Sequence, residues 1–495
     1  LLKNFLEPFE PFVQEMTTRL TDTQWVAKLF KSQANSRTDL VNPVLSVIRS
    51  TSQADVVFVL KQEESSSSRR SLEWLIAGYS DIEGQLSQAA YLEQIKTQIL
   101  PVVSEKALFS PYHHGITLNN DQRSFILIPL QPDLAQKKPL KQFMIVCHPK
   151  RETPPLNEIY GHILAVFYQG CQVILPKAFP IEVATALIEA TVLDGLKQAF
   201  GFVSENLYNR RFDLFRTRLQ QMVVYFEPIL ELDQLQIFGW EALARDPFSG
   251  AGKSDKLVAP VDLFKSAELW GTEFTTELDL HFLRCATQTY LEKRQAIQLN
   301  RLSDLRPLSV NVYPATLMRT VYRETLKAII KEERLIDGAN LTLEISEKTD
   351  LPEPEAKSYS EPYWTEYRRQ LKQHIKEFRV RFAIDDFGVG YASVSRLAGL
   401  RPTYVKIDRE ILLASSIEAL RLTIDYVNEL LLEVGSGSVI IIEGVEGQSP
   451  FDLKTLREIG VNYIQGHLVG KASADIQQRL RREEYEFFKE LIEEG

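Results

Sequence analysis

In the second half of this 495-residue chain, Glu241, Asn311, Glu344, the pair Asp385 and Asp386, and Glu443 each stand just past a short apolar run. Lys406 closes another such run. Core strands need no carboxylates at their ends, so this regularity suggests one site assembled from many strands. Oxygen donors without histidine or cysteine among them select a hard cation, Mg²⁺ or Mn²⁺, over zinc. Six carboxylate or amide groups hold more negative charge than one divalent ion neutralises. Two ions are the economical expectation, and they point to hydrolysis of a phosphoester by an activated water.

Eight apolar runs must position these groups: Tyr225 to Leu230, Ile237 to Leu243, Leu308 to Val312, Leu341 to Ile345, Arg381 to Ile384, Tyr404 to Ile407, Val439 to Ile442 and Val461 to Ile464. Helix-like stretches separate most of them, among them Val261 to Leu291, Ala315 to Glu332, Trp364 to Phe378 and Ile417 to Val434. Eight strands alternating with helices predict a TIM-like (β/α)8 barrel, an α/β fold whose chemistry sits at the C-terminal ends of its strands. Only ELDQLQ joins the first two runs. A crossover between parallel strands needs a dozen or more residues, so these two are expected to form an antiparallel hairpin.

The segments GWEALAR (239–245), LSVNVYP (308–314), LTLEISE (341–347), RFAIDDFGVGYAS (381–393), YVKID (404–408), IIEGVE (441–446) and YIQGH (463–467), in this order, resemble the EAL domain family. Membership implies a cyclic di-GMP phosphodiesterase that releases pGpG. Position by position, the resemblance makes Glu241, Asn311, Glu344 and Asp385 ligands of one metal. Asp385 then bridges to a second ion shared with Asp386 and Glu443. It implies that Lys406 bonds the attacking water or the scissile phosphate, and that Glu443 is the base. Arg245 and Leu243 would contact the dinucleotide, Gln465 and Glu446 would support the site, Asp408 would join them, and Glu347 would brace the loop after its strand. Mg²⁺ or Mn²⁺ would serve, and Ca²⁺, larger and laxer in geometry, would bind but inhibit.

The chain also departs from the family pattern. Glu227 stands before Pro228 and Ile229 where glutamine is usual, adding a carboxylate near an anionic ligand; Tyr313 replaces a usual serine, Ile442 an alanine and Ala472 a proline. The segment after Glu347 is long, polar and proline-bearing. Taken alone, Asp-Asp-Phe-Gly is an ordinary strand-to-turn signal, but a turn does not explain why Glu344 and Asn311 follow other strands at the same depth. The kinase meaning of Asp-Phe-Gly fails for want of its lysine strand and catalytic loop. Gly388 and Gly390 read as turn residues, because GxG without the rest of a nucleotide fingerprint is weak.

The first half has a different texture. Phe12 to Phe30 has helical spacing, and ADVVFVLK (54–61), SLEWLIAGYS (71–80), SFILIPL (124–130) and KQFMIVCH (141–148) are β-rich, before a helix from Leu156 to Leu175. This α+β order resembles a GAF sensory domain. The expected organisation is a GAF-like unit over 1–178, a helical linker over 179–222 carrying Arg210, Arg211, Arg216 and Arg218, and the barrel over 223–495. His113 and His114 have no neighbouring cysteine for a chromophore and read as solvated.

A formal net charge of −9 disfavours a nucleic-acid polymer as partner. Cys147, Cys171 and Cys285 show no CxxC spacing and fit a reducing, cytoplasmic setting. The longest apolar stretch, near Ile159 to Leu175, is interrupted by His162, Gln169 and Gln172, which argues against a membrane segment. The chain begins at Leu1, leaving open what precedes it. A homodimer and an unidentified sensor ligand complete the expected partners beside cyclic di-GMP. Two rival readings remain: a receptor that binds the dinucleotide without cutting it, which the intact metal ligands argue against and Glu227 keeps alive, and an interaction module that binds neither ligand nor metal.

Overall fold

The computed structural model describes residues 10–31, 40–64, 72–81, 97, 116–119, 123–130, 142–149, 157–177, 179–201, 203–248, 257–297, 305–346, 363–388, 400, 402–414, 416–433, 439–477 and 479–493. The chain forms two compact units, Leu1–Thr217 with Phe248–Lys256 and Arg218–Pro247 with Leu257–Gly495. Among the described residues no helix is long and apolar enough to cross a membrane.

In the first unit the expected N-terminal helix is two, α1 (Glu10–Leu20) and α2 (Thr23–Lys31), followed by α3 (Val41–Ser52). Five strands form one sheet in the order β2-β1-β5-β4-β3: β1 (Val56–Glu64), β2 (Leu72–Asp81), β3 (Ile116–Asn119), β4 (Arg123–Pro129) and β5 (Gln142–Pro149). All four pairings are antiparallel. The sequence reading lacks β3, whose four residues are too few for an alternation to register. Alternate residues face opposite sides of a strand. One face gathers Phe58, Leu60, Phe125, Leu127, Phe143 and Ile145 into an apolar cluster.

Helix α4 (Asn157–Ile174) packs on β4, and α5 (Ile181–Phe200) packs on α4 and α2. Gly195 makes that helix crossing close: a Cβ there would stand 2.8 Å from Val166, and His162 Nε2 donates to the Gly195 carbonyl at 2.9 Å. Three arginines of α6 (Glu205–Leu219) serve internal pairs. Arg211 grips Asp194 at 2.7 and 3.1 Å, Arg210 grips Glu189 at 2.7 and 2.6 Å, and Arg218 pairs with buried Asp246.

The second unit is a closed eight-stranded barrel in the order β10-β11-β12-β13-β6-β7-β8-β9. Its strands are β6 (Val223–Glu231), β7 (Gln236–Arg245), β8 (Leu308–Asn311), β9 (Leu341–Ser346), β10 (Arg381–Phe387), β11 (Tyr404–Ile407), β12 (Val439–Ile442) and β13 (Tyr463–Gln465). As expected from the short ELDQLQ connection, β6 and β7 form an antiparallel hairpin. β6 also runs antiparallel to β13, and the remaining neighbours are parallel. The helix expected over 261–291 is broken at Gly271, whose φ of 94° ends α7 (Val261–Trp270) before α8 (Thr272–Ala296) begins.

Strand periodicity sets the layers inside the barrel. Ala383, Tyr404, Ile441 and Tyr463 pack with Ile229 and Phe238 as an apolar floor. Two residues further along their strands, on the same inner face, come Asp385, Lys406, Glu443 and Gln465. Phe238 reaches the floor because it is the extra residue of a bulge, with Gly239 opposite Ile229 and Ile237 opposite Leu230.

Candidate active site

The polar layer above that floor is centred on Lys406, which is fully buried. Its Nζ lies 2.9 Å from Glu241 Oε2, 2.9 Å from Glu344 Oε2, 3.3 Å from Asp385 Oδ1 and 2.6 Å from Glu443 Oε1. Two amides complete the environment of Glu241: Gln465 Nε2 donates to Oε2 at 2.7 Å and Asn311 Nδ2 to Oε1 at 2.8 Å. The structure thus brings together Glu241, Asn311, Glu344, Asp385, Lys406, Glu443 and Gln465 from seven of the eight strands or their ends.

Asp385 and Asp386 are adjacent in a strand, where side chains should point to opposite faces. The ladder between β10 and β11 is irregular here, because Ile384 faces Val405 but Phe387 faces Ile407, so one extra residue bulges out. Asp386 takes the left-handed region at φ 57°, which aspartate tolerates better than most side chains. Its Oδ2 accepts the Ser346 hydroxyl at 2.9 Å. Gly466, at φ 143°, is needed just beyond Gln465, since a Cβ would meet the Val445 backbone at 2.5 Å.

One ammonium among four carboxylates leaves the layer strongly negative. Burial drives Glu344 up to about 8, lifts Asp385 and pushes Glu443 well above the ordinary carboxylate range. Burial also opposes the charge on Glu241, yet Lys406, Gln465 and Asn311 together hold it below its usual value. Burial pulls Lys406 down, and the summed field of Asp385, Glu241, Glu344 and Glu443 outweighs it and raises the ammonium well above normal.

This donor set fits a divalent cation. Carboxylate oxygens of Glu241, Glu344 and Asp385 lie within 4.8 Å of one another. Glu344 Oε1, Asp385 Oδ1 and Gln465 Oε1 are buried without a hydrogen-bond donor, Asp385 Oδ1 having only its longer ion contact with Lys406. Oxygens buried and short of donors are costly unless a cation completes them.

Arg245 and Leu243 line a cavity of about 540 Å³ beside Asn311, together with Phe264, Leu278, Phe282 and Tyr313. Burial lowers the Arg245 guanidinium's pKa, and Glu227 and Glu241 work against that. Asp408 is buried and its Oδ1 accepts the Glu410 N–H at 2.7 Å, capping the helix after β11. Glu446 is exposed, 3.6 Å from Arg409 and 3.9 Å from His467, and among the described residues its ion pairs are with these two rather than with the Lys406 cluster. Glu347, Gly390, His113 and His114 lie outside the described residues.

The EAL domain family model matches residues 212–472. Among curated relatives, the cyclic di-GMP phosphodiesterase PdeF of Escherichia coli (strain K12) is 23% identical over 221 residues, 44% of this chain and 26% of that protein. The cyclic di-GMP phosphodiesterase PdeL of the same organism is 32% identical over 134 residues, 27% of this chain and 33% of that protein. The chain therefore spans about a quarter to a third of the length of these relatives. Among solved structures, it is similar to the Bacillus subtilis YkuI protein, with an EAL domain, in complex with substrate c-di-GMP and calcium, at 20% identity and a TM-score of 0.42, covering 57% of this chain and 63% of that one.

Proposed function

The chain belongs to the EAL domain family, and on that premise we propose that its barrel hydrolyses cyclic di-GMP to pGpG. The observation that carries this reading is the Lys406-centred layer of four carboxylates and two amides, an all-oxygen donor set with buried oxygens lacking donors. In the proposed arrangement Glu241, Asn311, Glu344 and Asp385 would hold one Mg²⁺ or Mn²⁺, and Asp386 and Glu443, with Asp385, would hold a second. When bound, such ions lower the pKa of water and stabilise charge on the attacking and leaving oxygens.

The chain's own groups supply the rest. Lys406 is locked in place by its contacts with four carboxylates, so its charge is held ready for the reacting phosphate without reorganisation. The Glu443 carboxylate accepts the proton of the attacking water. Gln465 and Asn311, by donating to Glu241, fix its orientation and turn their own amide oxygens away from it. Arg245 offers its guanidinium fork to the dinucleotide, and Leu243 an apolar surface for a base. Asp408, as a helix cap, steadies the end of the strand that carries Lys406. The test is pGpG release by the purified protein with Mg²⁺ or Mn²⁺. Wild type should turn over, and Glu241→Ala, which removes the acceptor of three bonds, should be slower by about a thousandfold. Equal rates would exclude this site.

Glu227 bears on how well the site binds. It lies opposite Glu241 in the β6–β7 register. Burial first, and Glu241 second, push its carboxyl up to about 7, against the pull of Lys406 and Arg245. Glu227→Gln should tighten cyclic di-GMP binding by about threefold to tenfold, the worth of one partly screened charge. Titration calorimetry of both proteins decides it, and unchanged affinity would mean that the ligand does not feel Glu227.

In this reading the first unit is a GAF-like sensory domain for an unidentified ligand, and the whole is a cytoplasmic, homodimeric signalling enzyme. The antiparallel five-stranded sheet flanked by helices supports the sensory assignment.

A further inference from the structure

We propose that Asp279, from inside helix α8, is a positioning residue that fixes the chain just after Asn311 and thereby the metal-ligating amide. The inference rests on the metal-site reading above. The inner face of α8 runs Phe274, Leu278, Phe282, Leu283, Ala286 and Tyr290, an apolar stripe at helical spacing. Asp279 interrupts that stripe while only 2% exposed, and among the described residues no lysine or arginine contributes to its environment. Such a group is costly to bury unless a bond compensates.

The compensation comes from the segment just after Asn311, where the Thr316 side chain and the Tyr313 backbone both favour the charged form. Asp279 Oδ2 accepts the backbone N–H of Tyr313 at 3.0 Å. Asn311 is the last residue of β8, and three successive residues are each pinned by a different element. Asn311 Nδ2 donates to Glu241, the Val312 N–H donates to the Glu344 carbonyl at 2.9 Å, and the Tyr313 N–H donates to Asp279. Asp279 is the only one of the three anchors outside the strand layer, so it sets the barrel-wall end of the loop against the helix layer. The Tyr313 hydroxyl adds a side-chain strut, donating to Glu268 Oε1 at 2.9 Å. Groups that orient metal ligands from behind typically govern affinity by about 10- to 100-fold.

The experiment is calorimetric titration of Mn²⁺ into the full chain, with melting curves alongside. Asp279→Ala should bind Mn²⁺ about 10- to 100-fold more weakly, whereas Asp279→Asn, which keeps an acceptor oxygen, should stay within about threefold of wild type. A second pair of variants leaves the Asp279 side chain itself in place. Tyr313 has φ −69°, the angle proline enforces. Tyr313→Pro deletes the N–H, and Tyr313→Ala deletes only the side chain; the proline variant alone should match the affinity loss of Asp279→Ala. Asp279→Ala or Tyr313→Pro binding Mn²⁺ as tightly as wild type would overturn the assignment, as would an Asp279→Asn loss equal to that of alanine. Absence of Mn²⁺ binding by wild type would instead remove the metal site itself, and the inference with it.

Discussion

Lys406→Met should reduce turnover by about a thousandfold or more and destabilise the barrel in chelator by about 3–5 kcal/mol. Methionine keeps an unbranched apolar stem of similar reach, so the floor formed by Tyr404 and its neighbours should still pack. What disappears is an ammonium within 2.6 to 3.3 Å of four carboxylates. Glu241 and Glu344 are 5% and 1% exposed, so water cannot screen the repulsion that remains. Protonation relieves part of it, as the upward pull of burial on Glu344 and Glu443 already indicates. Mn²⁺ should relieve it more effectively, so the variant is expected to gain more melting temperature from Mn²⁺ than wild type does. Urea unfolding and melting curves, each with chelator and with Mn²⁺, give the comparison. Wild-type stability in chelator would show that Lys406 is not the charge on which the carboxylates depend.

The rim of this site was legible because a barrel strand reports its own geometry. Polar residues two positions past apolar floor residues, as in Tyr404–Lys406 or Ile441–Glu443, can only be on the inner face near the strand's end. The reversed first strand was legible for the same kind of reason, a connection too short to cross over. Other features depend on contacts between segments distant in sequence. The bulge that frees Asp385 and Asp386 from strict alternation arises from pairing with β11 and leaves no local trace. The basic residues of α6 read as a charged stretch, and only the fold shows that Arg210, Arg211 and Arg218 have specific carboxylate partners. Asp279 is the hardest case. Asp279 and Glu277, two residues earlier, look alike on paper, and burial of one of them is decided by how α8 lies on the barrel.

Glu443→Gln should separate chemistry from binding more cleanly than any other change at the rim. Of the four carboxylates around Lys406, Glu443 has the most exposed side chain, at 19% against 7% for Glu241, 1% for Glu344 and 14% for Asp385. It is therefore the best placed to meet an incoming water. Glutamine preserves its shape and can still present an oxygen to Lys406, but it cannot accept a proton. If Glu443 is the base, kcat should fall by about a hundredfold to ten-thousandfold, while cyclic di-GMP affinity measured in chelator, where the metal-ligating part of its role is silent, changes by no more than about threefold. Glu241→Ala provides the contrast, because it strips the acceptor of Gln465, Asn311 and Lys406 at once and should impair binding and turnover together. Single-turnover pGpG formation and calorimetry on the same preparations resolve the two. A Glu443→Gln enzyme that keeps more than about a tenth of wild-type kcat would move the base elsewhere on the rim, since loss of a true base costs at least about a hundredfold.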